Sequence, residues 1–466
     1  MPAPLTPSAS DYARDLLADC GVAPAPLPAS SELDPGLSPA AEWARSGAMC
    51  LTGPAAGPPA LSPGPLALAA RGAALALAAL APESRELAGL DGPALLGERA
   101  ARMNLARRGR IAPGGSCRLL AARDGWLAVN LPRPDDRELL PAWLESSAQP
   151  GEDPWAFAER VLPERTTEAW VNRGRLLGLA LAALPGHAPP ASPEPWLRIG
   201  PTTPRVGPPS TSPRVLDLSS LWAGPLCAQL LAAAGAEVIK LESRQRPDGA
   251  RRGEAGFYSL MNAGKQSVAL DLDSSQGMAD LHRLLEWAEI VVESARPRAL
   301  AQLGITAEDL VVRGSGRVWL SITGHGRQGE CGHWVGFGDD AAVAAGAAIR
   351  HGDGAPPSFC GDAIADPLTG LHAAVASLAH HRTGRGALLD VSLSAVTRHA
   401  LETPAPERGV DVGANGEGWR VLTATGVEAV APPRARASRG PAADLGADTA
   451  RLLDALARQT RPGDCL

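Results

Sequence analysis

RVLDLSSLWAGPLCAQLLAAAGAEVIKLE, residues 214–242, decides the fold. Its two ends are short β-branched runs, and the apolar, Ala-rich segment between them is helical, so the stretch reads as strand, turn, helix, strand. In the turn, Ala223-Gly224-Pro225 lets backbone approach a ligand and aims helix N–H groups outward, which favours an anion. A tight β-to-α turn with Pro at the first helical position explains the same residues. The GxGxxG fingerprint is missing, so no dinucleotide is implied. SVALDL (267–272), EIVVES (289–294) and RVWLSI (317–322) continue the strand series, separated mostly by helical segments. This alternation predicts an α/β fold with a parallel, Rossmann-like sheet and crossover helices.

Open α/β sheets bind ligands at the carboxyl ends of their strands. Lys265, after an Asn-Ala-Gly turn, and Arg296, after EIVVES, are placed to meet the phosphates of a nucleotide-like ligand. Lys240 lies inside a strand and is the poorer candidate. These two lysines are the only ones among 44 basic residues. The chemistry is expected further on, in PSFCGDAIADPLTGLH (357–372), where Asp366 stands before Pro at the mouth of an apolar helix. As a helix N-cap it needs no catalysis. As a nucleophile it attacks a thioester carbonyl, giving an acyl-aspartyl anhydride and a free thiolate while nearby N–H groups hold the oxyanion. Asp362 is the alternative nucleophile. His325, His333 and His372 fall on separate elements and read as pocket or surface residues.

Working outward, residues 66–81 form an apolar helix that carries Arg71 and Gly-Ala breaks and is too short to span a membrane. Helices are also expected over 41–53, 92–108, 153–162, 166–182 and 448–459. An Asp-Gly turn inside 116–131 signals a β-hairpin. Residues 1–40 look weakly structured after a short helical stretch, and 188–213, with nine prolines, look like a linker or surface wrap. Setting Pro59 on Pro357 brings Gly72 onto Gly370 without a gap and puts Leu68 in the place of Asp366, so the chain reads as holding a second, degenerate copy of the helix entrance, with chance a competitor in so Ala-rich a segment.

The totals exclude several classes. With 44 basic and 50 acidic residues and no basic block, nucleic acid is not an expected partner. Seven cysteines, scattered and never in Cys-x-x-Cys, argue against a disulfide framework and a zinc site and suit the cytoplasm. No secretory signal is read at the N-terminus, and no membrane partner is expected.

Six stretches now stand in one order: residues 214–242, NAGKQSVALDL, VVESARPRALAQLGI, LSITGHGRQG, GDAIADPLTGLHAA and RTGRGALLDVSLSAV. Together they resemble the class III CoA-transferase family, whose relatives include formyl-CoA transferase, carnitine CoA-transferase and α-methylacyl-CoA racemase. The resemblance implies a CoA-binding domain over 214–400. Asp366 matches the acyl-carrying aspartate, Leu221, Trp222 and Ala223 match the loop lining the CoA site, and Lys265 and Arg296 match nearby basic positions. Coenzyme A or acyl-CoA is then substrate rather than a permanently bound cofactor, a carboxylic acid is its partner, and no metal is implied. Residues 41–187 are similar to the family's small, α+β domain, here placed N-terminal to the large one. Residues 401–466 look like a tail returning to the large domain. Such an order suits two copies fused and trimmed to complementary halves, so both a homodimer and a pseudo-dimeric single chain are open. The racemase branch has a His-Asp pair where this chain has Phe337 and Gly338, and no glycine-rich lid like that of formyl-CoA transferase is found. CoA transfer is therefore the expected activity, with an acyl-CoA racemase or isomerase, or an inactive CoA-binding paralogue, as alternatives.

Overall fold

The computed structural model describes residues 8–23, 27, 36–186, 195–352, 354–402, 409–416, 418–424 and 426–459. Strands β1 (Cys117–Ala121) and β2 (Trp126–Asn130) form the expected hairpin, and β3 (Ala180–Ala183) pairs with β2 to complete an antiparallel sheet. The helix expected over 166–182 is shorter, Thr167–Leu176 capped by Thr166, because the chain turns at Gly178 (φ +75°) and enters β3.

The large sheet holds β4 (Leu197–Pro204), β5 (Arg214–Asp217), β6 (Glu237–Ser243), β7 (Gln266–Leu270), β8 (Ile290–Glu293) and β9 (Val318–Thr323). A two-stranded pair, β10 (Ala348–Ile349) with β11 (Ser358–Phe359), precedes β12 (Arg385–Ser392), the seventh strand of the large sheet. Its order is β4-β12-β9-β8-β5-β6-β7, parallel except for β4, which runs antiparallel to β12. Part of the Pro-rich 188–213 segment is thus an edge strand, where prolines are tolerated because no ladder bond is needed on the outer side. The rest of that segment through Glu194 lies outside the described residues, as do much of 1–40 and Cys465. A last antiparallel sheet, β13 (Asp411–Asn415), β14 (Gly418–Thr423) and β15 (Gly426–Ala429), was not expected.

The 1–40 region is not uniformly weak. Ser8 caps a helix over Ala9–Asp19, and that helix packs on the Leu66–Leu80 helix, of whose fifteen residues thirteen are buried. Burial on every face makes the latter a core helix. No described helix is long and apolar enough to cross a membrane.

The register Gly72 on Gly370 has a counterpart in packing. A Cβ on Gly72 would lie 2.9 Å from Ala9 O and 2.7 Å from the Tyr12 ring; a Cβ on Gly370 would lie 2.9 Å from Ala223 O and 2.9 Å from Leu226. Two helix pairs, Ala9–Asp19 on Leu66–Leu80 and Ala223–Ala233 on Ala365–Arg382, therefore cross at an equivalent glycine. Helices Pro39–Arg45 and Gly338–Ala345 both end at a left-handed glycine, Gly47 (φ +82°) and Gly346 (φ +97°), and each packs on a three-stranded antiparallel sheet, β13–β15 and β1–β3 respectively.

Both lysines lie beneath the turn after β5. Lys240 Nζ donates to Ser219 O (2.9 Å) and pairs with Asp248 (3.1 Å), whose Oδ1 accepts from Leu221 N–H (3.0 Å). Lys265 Nζ donates to Asp217 Oδ2 (2.8 Å), Pro225 O (2.9 Å) and Asn262 Oδ1 (3.0 Å), which uses all three of its N–H donors. Burial works against ionising Asp217, but Lys265 and Lys240 hold its carboxyl below the usual range.

Replacing Lys265 by Met leaves the buried Asp217 short of its nearest cation and should cost about 3 kcal/mol in urea unfolding. In the same measurement Gly72→Ala and Gly370→Ala should each destabilise by about 1–3 kcal/mol, since overpacking against a neighbouring backbone outweighs the gain in helix propensity of about 1 kcal/mol. Gly186→Ala, with open space around it, should stay within about 0.5 kcal/mol.

Candidate active site

Strand order reverses between β5 and β8: β6 and β7 extend one way, β9 and β12 the other. The crevice at such a switch point, beyond the carboxyl ends of the strands, is where open sheets receive ligands. Here it is a pocket of about 190 Å³ lined by Ser220, Leu221, Ala223 and Gly224 after β5, Ser294 to Arg296 after β8, Thr323 and Gly324 after β9, the 334–337 segment, Arg133 and Asp366. A second recess, lined by Leu218, Leu241, Leu272, Leu281, Leu300 and Leu303 and also by Glu242, Arg246 and Asp248, shares Ser220 and Ala295 with it.

Four of the six expected site residues, Leu221, Ala223, Arg296 and Asp366, meet in the first pocket. Trp222 is behind the loop rather than in the pocket: its ring is 2% exposed, stands edge-on to Phe257 at 5.3 Å, and carries the Arg99 guanidinium 5.3 Å from its centroid. Lys265 is the other departure. It is 4% exposed, lines neither recess, and spends its donors on the turn, as does Lys240, because a buried ammonium is stable only when fully bonded. Of the histidines, His372 bonds Tyr12 Oη (2.8 Å) in the core, His333 is exposed, and His325 is buried 4.0 Å from Asp340.

Asp366 is the second residue of the Ala365–Arg382 helix, whose N-cap is Ile364, and its carboxyl makes no capping bond. The capping alternative raised by the Asp-Pro pair is therefore not what occupies it. The Ala223 N–H, at the positive end of the Ala223–Ala233 helix, lies close enough to its carboxyl to favour the ionised form. Gly338 faces it across the site, where any Cβ would overlap Asp366 Oδ2. Burial pushes its pKa up to about 7; Arg99 opposes that rise, Asp339 and Asp362 add to it, and the Ala223 N–H opposes it.

Backbone strain gathers at the same place. Leu221 (φ +72°) and Ala363 (φ +43°) are two of the four described non-glycine residues in left-handed conformation. Each is held by a buried carboxylate: Asp248 accepts from Leu221 N–H (3.0 Å), and Asp339 accepts from Ala363 N–H (2.8 Å). Strain of this sort persists only where the surroundings over-determine it.

The first half of the chain contributes one lining residue, Arg133, and braces others. Arg133 lines the pocket while bonding Asp136 and Gly178 O. Asn130 donates to Asp340 Oδ1 (2.8 Å), and Arg175 stacks 3.4 Å over the Trp334 ring. Burial lifts Asp340 to about 7 against the bonds from Asn130 and Phe337 N–H. None of Arg99, Asn130 or Arg133 was singled out from the sequence, and Gly338 only as a departure from the racemase pattern. An arginine in an Arg-rich chain carries no local mark, and Gly338 shows its purpose only beside Asp366.

Residues 212–425 match the family described as CoA-transferase family III. Among similar proteins, the succinyl-CoA–D-citramalate CoA-transferase of Chloroflexus aurantiacus is 31% identical over 206 residues, 42% of this chain and 51% of that protein. The succinate–glutarate CoA-transferase of Agrobacterium fabrum is 33% identical over 210 residues, 41% and 52% of the two chains. A formyl-CoA:oxalate CoA-transferase of Escherichia coli is 31% identical over 196 residues, 39% and 46%. This chain thus spans about half the length of the curated relatives it matches, and the part that does so, which holds Asp366 and most of the crevice lining, is similar to CoA-transferase family III.

Proposed function

We propose that this protein moves coenzyme A between an acyl-CoA thioester and a carboxylic acid, with Asp366 as the covalent carrier. One observation carries the reading: among the described residues lining the crevice, Asp366 is the sole carboxylate, and no histidine lines it. Proton abstraction and return at an α-carbon requires acid–base partners on that surface, so CoA transfer is favoured over racemisation. The names of the three relatives point the same way.

In this mechanism an Asp366 carboxylate oxygen adds to the thioester carbonyl. The C–S bond breaks, CoA leaves as the thiolate, and an acyl-aspartyl anhydride remains. The thiolate then attacks the Asp366 carbonyl of the anhydride, releasing the first carboxylate and forming an aspartyl-CoA thioester. The acceptor acid repeats the two steps in reverse. The Ala223 N–H, already close to the Asp366 carboxyl, is placed to stabilise the oxyanions. Arg296 at the mouth suits the CoA phosphates, and the adjoining leucine-lined recess suits an apolar nucleobase face. Lys265 supports the Leu221–Ala223 turn from beneath. Residues 41–187 act as the small domain against the 214–400 domain, so one chain supplies both parts of the site, with Arg133 lining the same pocket as Asp366.

Exchange of labelled CoA across a panel of acyl-CoAs and carboxylic acids tests the activity. Asp366→Asn should lose about a thousandfold or more of it while keeping the native circular dichroism; retained turnover, with no hydroxylamine-trappable acyl group on Asp366, would exclude the mechanism. Solvent deuterium appearing at the α-carbon without any acceptor acid would instead favour the racemase. Since Asp366 is the attacking base and its pKa lies at about 7, kcat/KM for acyl-CoA should rise with pH through an acid limb near that value and level off above it.

A further inference from the structure

Three carboxylates crowd the mouth of the Ala365–Arg382 helix, and one guanidinium serves them. Arg99, on the Glu98–Met103 helix of the first half, donates Nε to Asp362 Oδ2 (2.7 Å) and Nη2 to Asp362 Oδ1 (2.6 Å). It also acts electrostatically on Asp339 and Asp366, and its face covers the Trp222 ring at the start of the crevice loop. A planar, permanently charged fork is the side chain that satisfies a bidentate pair and a ring stack together. Asp339 in turn bonds the strained Ala363, so Arg99 bonds or balances both carboxylates that neighbour Asp366.

We propose that Arg99 is a positioning residue for Asp366: by clamping Asp362 and stacking on Trp222 it joins the two halves of the crevice and sets the charge balance in which Asp366 works. This deepens the CoA-transferase reading and, as to catalysis, rests on it. Among the described residues Arg99 is the cation hydrogen-bonded into the group of Asp339, Asp362 and Asp366, so the ionisation of Asp366 responds to its removal or to the loss of a neighbouring carboxylate. Arg133 and Arg296 line the same pocket as Asp366; on the Gly338–Ala345 helix Asp340 is next, beside His325. The Ala223–Ala233 helix contributes no ionisable side chain other than the buried Cys227.

Two substitutions separate a charge-balancing role from a purely packing one. Arg99→Gln removes the cation, whereas Asp362→Asn removes a carboxylate and frees the guanidinium for Asp366. If Arg99 sets the balance, the midpoint for Asp366 moves up in the first and down in the second. A strut would loosen the site in both and move both midpoints the same way. The readout is carbodiimide labelling of Asp366, quantified residue by residue by tandem mass spectrometry across pH, which needs no CoA and no turnover. We expect shifts of about half a pH unit or more in opposite directions, with Arg99→Lys, which keeps the charge, staying close to the parent. Folded variants with unmoved midpoints, or with shifts of one sign, overturn the proposal. Should Arg99→Gln fail to fold, Asp362→Asn decides alone: a downward shift supports the role, and an unmoved or raised midpoint overturns it. Where CoA exchange is measurable, the acid limb of kcat/KM should follow the labelling midpoints. Opposed shifts in a protein that exchanges no CoA would uphold the electrostatic role while removing the transferase reading.

Discussion

The candidate site depends on one close approach between helices. Gly370 has no side chain, so the Ala365–Arg382 helix lies against the first turn of the Ala223–Ala233 helix, within reach of Ala223 O and Leu226. That contact sets Asp366, one turn earlier, in front of the Ala223 N–H and the positive end of the neighbouring helix. A larger residue at 370 would part the helices and withdraw the carboxylate from the crevice. Gly338 meets the same demand from the other side. The place of Asp366 in the crevice is thus built out of missing side chains as much as present ones.

Around that contact the molecule holds its ligand-facing backbone by buried charge. The turn after β5 bends through a left-handed Leu221 and is fixed from below by Lys240, Lys265, Asp217 and Asp248. The approach to Asp366 bends through a left-handed Ala363 and is fixed by Asp339, with Arg99 and Asp362 beside it. Both arrangements bond buried ions to main-chain groups, which gives rigidity where a substrate must be met without reorganisation. The two lysines that an otherwise lysine-free chain retains both belong to this scaffolding.

The second helix pair, with Leu68 where the first has Asp366, repeats the close crossing at Gly72. Its Leu66–Leu80 helix lacks the carboxylate, and the Ala9–Asp19 helix packs on it through Tyr12, which also bonds His372 of the first pair. One pair therefore faces the crevice while the other serves as core, and their mutual packing gives the chain a central, Ala-rich helical layer.

Much of this was legible in the amino-acid order. The strand runs from 214 to 322, the hairpin around Asp124-Gly125 and the apolar helix at 66–80 all follow from local periodicity and turn chemistry, because these are properties of neighbouring residues. Strand β4 was hidden by its prolines, and β13–β15 by a polar, Gly-rich composition without strong alternation. What only the tertiary structure decided was which charges are free. Lys265 and Arg296 look alike in sequence, yet one is consumed beneath the turn and the other faces the pocket. Arg99 and Arg133 are unremarkable in order, yet folding brings Arg99 to Asp362, a partner 263 residues away, and Arg133 into the pocket that Asp366 lines. Periodicity records what a residue's neighbours in the chain require of it; the fate of an ionised group is set by whatever folding brings within a few ångströms.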